Sequence, residues 1–359
     1  MTGLVRLVQV GAGGMGRAWL RTIAESPEVE LAGLVDLDLD VARAALADAG
    51  LHGVEVGRST AEIADAVGAD AVVNVTVPEA HLVVNEEALG AGYPVLCEKP
   101  AAPTVATALI QAGIAELSGR LLMISQSRRY FASLRELRRQ AEALGTIGTV
   151  STEFFKAPHF GGFREEMPHV LLVDMAIHAF DAARFVIGAE PVSVYCEEYN
   201  PSWSWYAGAA NAAAVFEFEG GTRYVYNGSW CAPGQETSWN GSWRVSAAEG
   251  TATWDGEGSP IVHRPDAGEP VTVAAPPIRE EIAGSLEAFV DALRSGAEPE
   301  NSIRTNMRSL AMVEGAVASA ETGARVRIDD VLEQARETAS AQTRRDDVSE
   351  WLRGASIAR

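Results

Sequence analysis

Residues 4–10 form an apolar run that passes without a spacer into Gly11-Ala12-Gly13-Gly14-Met15-Gly16, and residues 17–24 then read as helix. Strand, G-x-G-x-x-G and helix in that order restrict the fold more than any other pattern in the chain. Gly11 permits the tight turn, Gly13 lets backbone approach a pyrophosphate, and Gly16 lets the helix pack close, which leaves its N-terminus facing phosphate. Glycines alone are a weak sign, but a second strand over residues 30–35 ends in Asp36, 20 residues after Gly16. An acid there accepts hydrogen bonds from adenosine ribose hydroxyls. Gly11, Gly13, Gly14, Met15, Gly16 and Asp36 are therefore expected to bind a dinucleotide. Leu37 follows where an NADP-binding chain would supply arginine, so NAD is favoured over NADP. The competing role for Asp36 is to cap a helix over residues 41–49.

Further strand-helix units follow: strands at 54–56, 71–77, 94–97 and 121–125, with helices at 61–67 and 80–91. Such alternation predicts a doubly wound parallel sheet, whose ligands lie beyond the carboxyl ends of its strands. Thr76, Pro78, Glu98 and Lys99 are thereby placed at the cofactor crevice. His81 is expected near the nicotinamide, with local packing or capping as its alternative. Lys99 stands out because it and Lys156 are the only lysines among 29 basic residues. Lysine loses its proton readily on burial and arginine does not, so a lysine kept at a strand end suits proton chemistry. Pairing with Glu98 at the surface is the plainer reading.

After a helix at 133–144 and a strand at 149–156, residues 170–188 read as one helix. Asp174, His178 and Asp181 fall at i, i+4 and i+7 on one face, opposite Val173, Ile177, Phe180 and Ile187. A carboxylate one turn from an imidazole fixes its tautomer and tunes its basicity. From 192 to 254 the pattern alternates as an antiparallel sheet would, with a hairpin at Gly220-Gly221. Trp203, Trp205 and Tyr206 suit either a sugar's C-H face or a core or oligomer interface. A Pro- and Gly-rich excursion spans 255–277; helices at 280–295 and 305–322, a strand at 325–328 and a helical tail complete the chain. The division expected is 1–126, dinucleotide binding; 127–341, substrate binding and oligomerisation; 342–359, tail.

Length and composition agree: 359 residues, 47% of them apolar, exceed what one core covers. A net charge of −20 makes nucleic acid or an anionic membrane an improbable partner. Three cysteines without metal-type spacing argue against a metal site or disulfide framework and fit the cytoplasm, as does the absence of a spanning run or signal peptide.

Taken together, Gly11 to Gly16, Glu98-Lys99-Pro100, and Asp174 with His178 resemble the glucose-fructose oxidoreductase and inositol dehydrogenase (Gfo/Idh/MocA) family over residues 4–330. Ser127-Arg128-Arg129-Tyr130 is similar to a segment of its inositol-type members. The resemblance implies a second domain built on an open, mainly antiparallel sheet with helices, whose outer face pairs copies into a homodimer or homotetramer. It also implies hydride transfer between NAD and a secondary alcohol of a sugar, inositol or related polyol. His178 would be the base, Lys99 the donor that stabilises the alkoxide, and Asp174 the residue that orients them. Arg129, with a surface or interdomain ion pair as its alternative, and His159, His169 and Trp205 are candidate substrate contacts. The family's other activities are NAD-dependent glycosidases and NAD- and sugar-binding regulators; an intact Lys99, Asp174 and His178 speaks against the regulator.

Overall fold

The computed structural model describes residues 3–354. The first strand-helix alternation is β1 (Val5–Val10), α1 (Gly14–Glu25), β2 (Val29–Val35), α2 (Leu39–Asp48), β3 (Glu55–Gly57) and α3 (Thr60–Val67). It continues through β4 (Ala71–Asn74), α4 (Pro78–Gly90), β5 (Val95–Glu98), α5 (Val105–Ser118) and β6 (Leu122–Ser125). The strands are parallel in the order β3-β2-β1-β4-β5-β6, so the direction of winding reverses between β1 and β4. That reversal opens a crevice at the carboxyl ends of the strands. Strands β1, β4, β5 and β6 are almost wholly buried, as near-continuous Val, Leu and Ile runs require of a sheet covered on both faces. Helix starts are marked by side-chain caps: Asp38 for α2, Ser59 for α3 and Thr104 for α5.

From α6 (Ala132–Ala143) the chain enters β7 (Ile147–Phe155), the single turn α7 (Phe163–Glu166), a π-helical segment Leu171–Ala176 and α8 (Ile177–Ile187). Strands β8 (Pro191–Tyr199), β9 (Asn211–Phe218), β10 (Arg223–Ser229), β11 (Ser242–Ala247), β12 (Gly250–Trp254), β13 (Ile261–His263) and β14 (Val271–Thr272) follow. They form a sheet in the order β14-β13-β12-β11-β7-β10-β9-β8, extended at the β8 edge by β15 (Val326–Arg327). All neighbours are antiparallel except β7 and β10. The β9-β10 turn uses Gly220 and Gly221 at φ of 76° and 88°, conformations that glycine adopts without strain.

The helix foreseen over 170–188 is broken into π and α parts, and Val173, assigned to its apolar side, is exposed. The π turn changes the angle between successive side chains, so a face drawn at 3.6 residues per turn does not hold across residue 176. The excursion at 255–277 also contains β13 and β14, too short to show a period.

The chain closes with α9 (Glu281–Ser295), α10 (Ile303–Thr322), α11 (Ile328–Gln342) and α12 (Asp346–Gly354). Two compact units result: residues 1–127, 279–307 and 334–359, and residues 128–278 with 308–333. This differs from the sequence division, because 279–307 and the tail belong to the first unit. In it, Trp351 and Val348 of α12 rest on Gly113 of α5, and Val348 and Leu352 are wholly buried. The last residues of the expected helical tail, 355–359, lie outside the described residues. Among the described residues no helix is long and apolar enough to cross a membrane.

Candidate active site

In the first unit the glycine turn has the geometry that a dinucleotide needs. Gly11 sits at φ +101°, where a Cβ would lie 2.8 Å from the Val75 carbonyl oxygen. A Cβ on Gly16 would lie 2.4 Å from the Gly11 oxygen, so α1 can start this close to β1 only with glycine there. Gly13 and Gly14 face open space, and Met15 beside them is exposed. Buried Gln9 ties the turn together, its Nε2 donating to the Gly11 and Gly16 carbonyls at 2.8 and 2.9 Å. Asp36 accepts from Ala12 N at 2.8 Å on one oxygen and from Asp38 N at 2.9 Å on the other. The cap of α2 is Asp38, which leaves Asp36 available for ribose. Nearby Arg58, unmarked in the sequence, donates from Nε to the Leu37 carbonyl.

Across the crevice, Thr76 is half-buried and donates from Oγ1 to Asn74 at 2.7 Å, while Pro78 opens α4. Two cofactor candidates turn out to be internal. His81 is 0% exposed, with Nδ1 3.0 Å from the Pro100 oxygen and Nε2 3.1 Å from the Thr76 oxygen, so it pins two strand ends together. Burial pushes its pKa down, against the pull of those carbonyls. Glu98 is 7% exposed; Trp19 Nε1 donates to its Oε1 at 2.8 Å and Lys99 N to its Oε2 at 3.0 Å. Burial raises the Glu98 pKa although these donors oppose it. The side-chain polar atoms of both residues are engaged inside the first unit. Lys99 itself is half-buried at the end of β5.

In the second unit Asp181 is set apart from the other two residues of the expected helical face. Asp181 is buried, taking Arg129 Nε and Nη2 at 2.7 and 2.8 Å and Ser309 Oγ at 2.6 Å. Arg129, expected among the substrate contacts, is committed to this interior pair at 6% exposure. A bidentate charge pair so closed from water is a structural link between the 3-10 turn Ser127–Tyr130, α8 and α10. Asp174 and His178 are only half-buried. Asp174 Oδ2 accepts from Arg164 Nε of α7 at 2.6 Å. His178 borders a narrow apolar pocket with Met175, Phe154, Tyr226, Trp239 and Trp243.

Two further candidates meet: His159 stacks on Trp205 with ring centroids 3.7 Å apart. Tyr206 Oη donates to the Pro158 oxygen at 2.8 Å and Ala207 N to the Glu165 oxygen at 2.8 Å, which ties the 157–167 loop to the Trp205 segment. His169 is drawn away, its Nδ1 2.6 Å from Glu198. Arg164 was not foreseen; its only trace in the sequence is its place after Gly161-Gly162-Phe163 in a polar loop.

Comparison with known proteins agrees with this layout. Residues 5–126 match the oxidoreductase-family NAD-binding Rossmann fold, and residues 131–253 match the GFO/IDH/MocA C-terminal domain. An uncharacterized protein of Sinorhizobium fredii is 29% identical over 94% of this chain and 99% of its own length. Inositol 2-dehydrogenase of Rhizobium meliloti is 26% identical over 88% of this chain and 96% of its own. Among solved structures, an Agrobacterium radiobacter oxidoreductase in complex with NAD+, L-tartaric acid and magnesium superposes with a TM-score of 0.83. It is 19% identical and the match covers 91% of this chain and 99% of that one.

Proposed function

Because the chain belongs to the GFO/IDH/MocA family of NAD-binding oxidoreductases, we propose that it moves a hydride between NAD and a secondary alcohol of a sugar, inositol or related polyol. The observation that carries this reading is the sorting of polar groups across the π segment and α8. Asp181 is sealed inside by Arg129 and Ser309, whereas Asp174 and His178 remain partly open. A half-buried imidazole four positions from a half-buried carboxylate has the chemistry of a general base and its positioning group.

The residues divide the work. Gly11, Gly13, Gly14, Gly16 and Asp36 would hold the dinucleotide, the glycines at its pyrophosphate and the acid at its ribose. When bound, NAD supplies the acceptor for the hydride. His178 takes the hydroxyl proton on its ring nitrogen. Lys99 is assigned the hydrogen bond that stabilises the developing alkoxide, a role for a compact charge where little water competes. Asp174 is a positioning residue that sets the basicity of the pair. His159 and Trp205 offer a flat surface to a sugar's C-H face. The outer face of the second unit's sheet, with Ala213, Val215 and Val225 partly exposed, suits a second copy of the chain.

The test is net reduction of NAD by a panel of inositols, aldoses and glycosides, repeated with Lys99→Arg. The reading requires NADH in proportion to substrate consumed, and a loss of about 10²-fold or more in kcat for the variant with NAD affinity nearly unchanged. A glycoside cleaved with no net NADH would assign the protein to redox-neutral hydrolysis instead. Full activity in Lys99→Arg would remove the lysine from the mechanism.

A further inference from the structure

Arg164 reaches the candidate pair from α7 and spends little of its hydrogen-bonding capacity there. Asp174 Oδ2 takes its Nε at 2.6 Å. The edge carrying Nη1 and Nη2 has no hydrogen-bond partner among the described residues. The guanidinium lies 5.2 Å from the Phe160 ring centroid and 4.9 Å from that of Phe163, and the side chain is 37% exposed. Aromatic rings against a guanidinium cover its faces and leave its edges to make hydrogen bonds. Its loop is fixed as well: Gly161 N donates to Glu165 Oε1 at 2.9 Å, and Ala207 N donates to the Glu165 carbonyl.

A guanidinium anchored at one corner, with its two-nitrogen edge open beside a proposed reacting pair, matches one ligand group above others. A carboxylate takes two parallel N–H donors from that edge, whereas a hydroxyl engages only one of them. We propose that Arg164 recognises a carboxylate on the substrate, which makes the substrate a sugar acid, an aldonate or uronate, in preference to a neutral polyol. This rests on the reading of Asp174 and His178 as the pair at the reacting carbon. Asp174 would then have two duties, steadying Arg164 as well as the base.

Matched pairs isolate the carboxylate: D-galacturonate against D-galactose, and D-gluconate against D-glucitol, which differ only in that group. Wild type should favour the acid in kcat/KM by about tenfold or more. Arg164→Gln should abolish that preference, and Arg164→Lys, which keeps charge without the fork, should restore only part of it. Melting curves of both variants confirm that each is folded. Should neither pair reduce NAD, protection against thermal unfolding in the presence of NADH gives the same comparison. Protection by D-galacturonate and not by D-galactose, lost in Arg164→Gln, supports the proposal; equal protection or none overturns it. Equal or better turnover of the neutral partner by wild type, or an acid preference that survives Arg164→Gln, also overturns it. Neutral polyols oxidised while acids stay inert would sink this inference and leave the dehydrogenase reading standing. Acids bound through Arg164 without hydride transfer would do the reverse.

Discussion

Each oxygen of Asp36 already accepts one backbone N–H, so a ribose hydroxyl would use the second lone pair on each. A carboxylate so placed repels a 2′-phosphate. Wild type should prefer NAD, and Asp36→Ala with Leu37→Arg should shift the ratio of kcat/KM values toward NADP by about tenfold or more. Affinity for both cofactors will fall because Ala12 N loses its acceptor, so the ratio is the reading that matters. A wild type that uses NADP as well as NAD would put the ribose site elsewhere. His81 gives a pH dependence. Its pKa is lower folded than unfolded, so its contribution to stability is whole above the ordinary value of about 6.5 and is lost as pH falls toward the folded value. The wild-type melting temperature should therefore drop more steeply than that of His81→Gln between about pH 6.5 and pH 5; parallel curves would show that another group is responsible. Residue types and spacings made Gly11, Asp36, Lys99 and His178 visible in the sequence. Partners were not visible: Arg129 and Asp181 are 52 positions apart, and nothing local tells a buried ion pair from a substrate contact.

Among the elements, the β1-α1 turn is the most exacting. Gly16→Ala should lower both thermal stability and NAD affinity, because its Cβ would meet the Gly11 carbonyl, a backbone atom that cannot swing aside. Gly14→Ala has open space around it and begins a helix, so melting should hold or rise by roughly 0.5–1 kcal/mol of stability while NAD binding weakens. Comparing melting curves with NAD titrations of the two variants separates the packing glycine from the one proposed to face the cofactor; identical losses in both would contradict that division. The parallel sheet was legible because strands buried on both faces read as long apolar runs. The π segment Leu171–Ala176 was not, since a single wider turn barely disturbs apolar periodicity yet redirects Asp174 relative to Asp181. β13 and β14 escaped because three- and two-residue strands carry no period.

For the whole molecule, the C-terminal helices are the part that local pattern could not assign. An amphipathic helix shows that it has an apolar face, not which unit will cover it, and α9 and α12 return to the N-terminal unit. Removing residues 346–359 would strip Val348 and Trp351 from α5 and remove the buried Leu352. At roughly 1.5–3 kcal/mol for each fully buried apolar side chain, the truncated protein should melt many degrees lower. An unchanged melting temperature would mean that α12 is dispensable. If His178 and Lys99 serve net hydride transfer to NAD, as proposed, the hydrogen lost from the substrate carbon must arrive on the nicotinamide, which isotope transfer reads out. A polyol or sugar acid that reduces NAD is supplied with deuterium on the carbon to be oxidised, and the nicotinamide and product are examined by mass spectrometry. Deuterium should appear on the reduced cofactor in equal amount to ketone formed, and neither should appear with His178→Ala. Deuterium retained at carbon in a substrate that is nonetheless converted, or transfer undiminished without His178, would contradict that proposal.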